Sequence, residues 1–104
     1  MSYRVVITTR ARDDALAAFQ WLAERSPDAA ERWYSASELA IADLERNPAI
    51  HPVAEEESEQ VGLLLRQALV GRGRGVHRIF FSIRDDVVTI HYVRHAARGP
   101  IEED

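Results

Sequence analysis

The chain has 104 residues, 46% of them hydrophobic, and 17 acidic against 13 basic side chains give a formal net charge of −4. That length fits one domain, residues 1–104, with a modest core. It contains no cysteine, which excludes disulfides and thiolate metal sites. No apolar run approaches the roughly 20 residues that cross a bilayer, and the opening MSYRVVITTRARDD lacks the layout of a secretory leader. A soluble, cytoplasmic protein without a membrane role or a cofactor is expected.

The acidic total hides an uneven layout. Residues 1–60 hold 6 Arg against 12 Asp and Glu, whereas residues 61–98 hold 7 Arg against 2 Asp and three of the four histidines. The tail 99–104 is acidic again. All basic residues are arginines, a side chain suited to bidentate phosphate or carboxylate contacts. A net acidic protein with a local cationic face is expected.

YRVVIT (3–8) is short and β-branched, and predicts a first strand. TRARDDALAAFQWLAER follows with Thr9 as a candidate cap and an apolar stripe through Ala11, Ala15, Ala18, Phe19 and Leu22. SPDAAERW restarts the helical pattern, with Ser26 as cap and Pro27 at the first helical position. The new stripe runs through Ala30, Trp33, Tyr34, Ser37, Ile41 and Leu44 and stops at Asn47-Pro48. These two helices form a hairpin. Residues 48–60, PAIHPVAEEESEQ, lack periodicity and read as a surface loop. Its EEESE run is either a solvated segment or an intramolecular screen over the basic region.

Strands then follow over 61–70, 76–84 and 87–94. GRGRG connects the first two, its glycines tolerating positive φ. Asp85-Asp86 turns the last two into a β-hairpin. The expected order is β-α-α-β-β-β, an α+β domain whose helical hairpin packs on one face of a small, mostly antiparallel sheet.

Strand alternation assigns the functional candidates. On 76–84, His77, Ile79, Phe81 and Ile83 form the core face, leaving Arg78 with Phe80 and Ser82 on the other. On 61–70, Leu63, Leu65 and Leu69 form the more apolar set, which places Arg66 beside Arg78 on the free face. The split on 87–94 stays open between Val88, Ile90, Tyr92, Arg94 and Val87, Thr89, His91, Val93. Arg72 and Arg74 sit in the glycine-rich connection, and RHAAR brings Arg94 and Arg98 close by. The partner or anion-binding set is therefore Arg66, Arg72, Arg74, Arg78, Arg94 and Arg98. GRGRG lacks the spacing of a phosphate loop and no helix follows it. His91 and His95 do not share a helix face, so no metal site is expected.

In this order, the strand with its following A-x-x-D start, SPDAAERW, the NP stop and HRIFFSIRDDVVTIHYVRHAAR together resemble the RelE/ParE superfamily of toxins from bacterial type II toxin–antitoxin modules. The similarity spans roughly residues 3–98. It implies a plasmid-stabilisation-type toxin bound and neutralised by a cognate antitoxin, whose acidic segment fits the basic sheet face. It also makes a dimer of toxin–antitoxin heterodimers plausible. RelE-like members cut ribosome-bound mRNA, which requires proton transfer and fixed cations. Arg78 falls at one arginine position of that branch, and Arg94, His95 or Arg98 falls near the second. Arginine is not an ordinary general base, so His95 or Tyr92 would move the proton. The chain ends GPIEED, without the C-terminal tyrosine or histidine common in that branch, and its acids repel RNA. ParE-like members instead inhibit DNA gyrase by binding, and the reading leans to them. A protein that binds its antitoxin without toxicity is the third alternative.

Overall fold

A computed structural model describes residues 2–97 and Ile101, except for the side chain of Arg74. Strand β1 (Arg4–Ile7) leads into helices α1 (Thr9–Arg25) and α2 (Pro27–Asp43). A 3-10 helix (Pro48–Ile50) and helix α3 (Glu55–Val61) precede strand β2 (Arg66–Val70). A second 3-10 turn (Gly73–Gly75) then leads to strands β3 (His77–Arg84) and β4 (Val87–His95). Among the described residues the strands form one four-stranded sheet in the order β1-β4-β3-β2. β1 runs parallel to β4, and the other two pairings are antiparallel. The expected α+β order is borne out, with α3 as an addition.

Local chemistry explains the boundaries. Thr8, one residue before the expected cap, accepts a hydrogen bond from the Ala11 amide through its side chain. Ser26 alone separates the two long helices. Its Oγ accepts from Ala29 N, and Pro27 opens α2 where no amide donor is needed. The β3–β4 hairpin turns at Asp85-Asp86, with Asp85 at φ 55°.

The segment before β2 differs from expectation. EEESEQV is a short helix, and the strand begins only at Arg66. Glutamate and glutamine are good helix formers even without an apolar stripe. Gly62 ends the helix in the left-handed conformation, φ 72°. Ser58 then fastens it: its Oγ donates to the Ala54 carbonyl and accepts from Leu65 N. Backbone bonds Ala54 N→Leu65 O and Gln67 N→Pro52 O lay residues 52–54 along the outer edge of early β2.

The helical hairpin covers one face of the sheet. Leu22, Ala30, Trp33 and Leu44 pack there on Ala68, Val70, Ile79, Phe81, Val88 and Ile90. The opposite face carries a smaller cluster of Ala54, Leu65, Phe80 and Ile101, with Val61 and Tyr92 at its margin. β4 changes face between these clusters. Opposite Phe80 and Phe81 stand Tyr92 and Ile90, so His91 is the extra residue of a bulge. Val88, Ile90 and Val93 consequently pack toward the hairpin, while Tyr92 joins the other face.

Candidate functional site

Arg78 lies on the face away from the hairpin, as the alternation of β3 requires. Its Nε donates to Gln67 Oε1 at 2.7 Å, and its guanidinium lies 4.6 Å from the Phe80 ring centroid. Nη2 meets Glu57 Oε2 of α3 at 3.0 Å. The two side chains are only 22% and 12% exposed. This is not the solvated surface pair that contributes little. Partial desolvation strengthens the attraction and penalises either charge left alone. The glutamate run is therefore neither a loop nor wholly solvated. Its third member pairs with Arg78 on the sheet.

Arg94 stands directly across the β3–β4 ladder from Arg78 and is 9% exposed. Tyr92, registered with Phe80, lies on the same face, with the Arg10 guanidinium 5.3 Å from its ring centroid. His91, released by the bulge, places Nε2 2.8 Å from Ser82 Oγ. Burial pushes its pKa below the ordinary histidine value.

Arg66 corrects the expected grouping. It alternates with Ala68 and Val70, which face the hairpin, and is registered with Phe81 rather than with Arg78. Its Nη1 donates to the carbonyls of Ala49 at 3.2 Å and His51 at 2.7 Å. Arg66 thus fastens the segment after α2, and it does not share a face with Arg78. The apolar set expected on the face opposite Arg66 also divides: Leu65 is buried under α3, whereas Leu63 and Leu69 are 43% and 63% exposed. Arg72 is exposed in the β2–β3 connection. Arg98 and the side chain of Arg74 lie outside the described residues.

His95 sits on the hairpin side, away from Arg78. Its ring is 5.1 Å from that of His77 and 6.0 Å from that of Trp21. Together with Asp14, Ala18 and Val93 these side chains line a cleft of about 470 Å³ beside α1. His77 is buried against Trp33, and its Nδ1 is 2.9 Å from the Gly75 carbonyl. A carbonyl only accepts, so Nδ1 of His77 carries the proton. Burial lowers its pKa first; the Gly75 contact opposes this and neighbouring His95 adds to it. Asp14 serves the fold here: its Oδ2 accepts from Val93 N beyond the end of β1, and its Oδ1 pairs with Arg10.

The structure therefore brings Arg78, Arg94 and Tyr92 to one face and places His95 on the other. Sequence reasoning named the EEESE run as a screen over the basic region in one of its two alternatives, without singling out Glu57. Its signal was present in three consecutive glutamates, but its face follows only from the helix and from the sharp return into β2.

No match is found among curated proteins. The family model described as the ParE toxin of the type II toxin–antitoxin system, parDE, matches residues 5–100. That span runs from the first strand to beyond the last, and the chain belongs to the ParE toxin family of type II toxin–antitoxin systems.

Proposed function

We propose that this toxin acts by binding, with DNA gyrase in the cytoplasm as its target and a cognate antitoxin as its neutralising partner. One observation carries the reading. Arg78 is held by a carboxylate of its own chain, and His95, the histidine nominated for proton transfer, lies across the sheet from it. An RNA-cleaving centre needs cations and a proton carrier around one phosphate, and this arrangement removes the histidine from the cations and leaves Tyr92 as the only nominated carrier on their face. A binding toxin needs no such assembly.

The acidic segment of the antitoxin first meets exposed Arg72 at the β2–β3 connection. It reaches Arg78 and Arg94 only where one of its carboxylates replaces that of Glu57. Such complexes pair further into a dimer of heterodimers. A ribosome-dependent ribonuclease is the second reading, favoured by the shared face of Arg78, Arg94 and Tyr92. A protein that binds antitoxin without toxicity would leave both targets untouched.

Gyrase supercoiling of relaxed plasmid, measured with increasing purified toxin, tests the proposal. Loss of supercoiling at toxin levels comparable to the enzyme is expected. Unimpaired supercoiling with a properly folded sample contradicts it.

A further inference from the structure

A sheet face that combines arginines with aromatic rings has the composition of a surface for single-stranded nucleic acid, in which cations meet phosphates and rings stack on bases. Arg78, Arg94, Phe80 and Tyr92 supply that composition here. The face is nevertheless closed. Phe80 is fully buried beneath Ala54, Leu65 and Ile101, and Ile101 N donates to Gln60 Oε1 of α3 at 3.1 Å. Glu57 occupies Arg78, while Glu55, Glu56 and Glu59 stand exposed on the same helix.

We propose that Glu57 is a selectivity residue, a resident carboxylate that holds Arg78 against phosphate backbones and so turns nucleic acid away from this face. The inference is independent of which target the toxin has. The anchoring of α3 by Ser58 keeps the carboxylate close to the guanidinium, so a free phosphate competes against an intramolecular group at high effective concentration. Displacing it would also leave a largely buried carboxylate unpaired beside three further acids. A phosphodiester chain, with several charges held close together, feels those neighbours most. Arg78 is thus present on the face but unavailable to a phosphodiester chain.

The test uses the full chain and a fluorescent 20-nucleotide oligothymidylate, with anisotropy recorded across a salt series. E57Q keeps a hydrogen-bonding group at the site and removes the charge. It is expected to bind about tenfold tighter than the parent, as the competing state is removed. Its plot of log affinity against log salt should steepen by about 0.7, the increment of one phosphate contact on a single strand. E59Q makes the same net change on the exposed surface and should stay within about twofold of the parent, since a distant exposed charge is screened. Equal affinity of E57Q and the parent overturns the proposal, as does an E59Q gain matching that of E57Q. Should E57Q fail to fold, the charge-balanced E57Q/R78Q variant decides. A salt slope equal to that of the parent supports a silent Arg78, and a shallower slope overturns it.

Discussion

The two faces of the sheet are built from the same strands by different means. Toward the hairpin, Ile79 and Phe81 of β3 enter a broad apolar cluster covered by two 17-residue helices. On the other side, Phe80 enters a small cluster beneath a seven-residue helix, and Arg78 beside it is answered by one carboxylate. One face depends on area removed from water, which tolerates imprecision. The other depends on a specific charge pairing, which does not. The hairpin face explains why the protein folds, and the α3 face explains how Arg78 is paired within its own chain.

Core truncations probe this contrast most strongly. Phe81→Ala should cost about 3–5 kcal/mol in denaturant unfolding, as expected of a buried aromatic. Leu65→Ala under α3 should cost about 2–5 kcal/mol and additionally expose the Arg78–Glu57 pair. If Leu65→Ala changes stability but leaves the salt dependence of oligonucleotide binding unchanged, the α3 cluster is only structural.

Next in size are the glycines of the β2–β3 connection. Gly71 has φ +94°, and a Cβ there would lie 2.6 Å from the Gly75 carbonyl oxygen. Gly73, at φ +56°, faces open space. Gly71→Ala should therefore lose about 2–3 kcal/mol, combining backbone strain with a backbone clash. Gly73→Ala should lose about 1 kcal/mol from strain alone. Equal losses would mean that the close approach of Gly71 to Gly75 relaxes without cost.

The smallest expected effect is the pH dependence. His77 on the hairpin side and His91 on the other both have folded pKa values below the ordinary 6.5. The unfolded chain then takes up protons first as the pH falls. This stabilisation is complete above about pH 6.5 and is lost as the pH drops from there through the lowered folded values. Thermal melts of His77→Gln and His91→Gln should each be flatter below pH 6.5 than those of the parent. A parent melting temperature that rises on acidification across that window contradicts the assignment.

Much of the fold was legible because local signals agreed with it. Ser26-Pro27 marks a helix restart whatever surrounds it, and Asp85-Asp86 between β-rich runs marks a hairpin. The faces of β3 also followed from simple alternation. The candidate site was less legible for three reasons. The leucine run 63–65 resembled a strand, but Ser58 and Gly62 turn the chain there, so the parity of β2 begins at Arg66. The bulge at His91 reverses parity within β4, and only pairing with β3 fixes where it lies. Glu57 acquires its role from a contact across the fold, which no spacing along the chain encodes.

The most direct test of the central claim, that the toxin acts by binding rather than by cleaving RNA, is mapping of new mRNA 5′ ends in a cell-free translation reaction containing the purified protein. The account predicts intact mRNA. Codon-spaced cuts that require ribosomes and vanish with Arg78→Ala would contradict it.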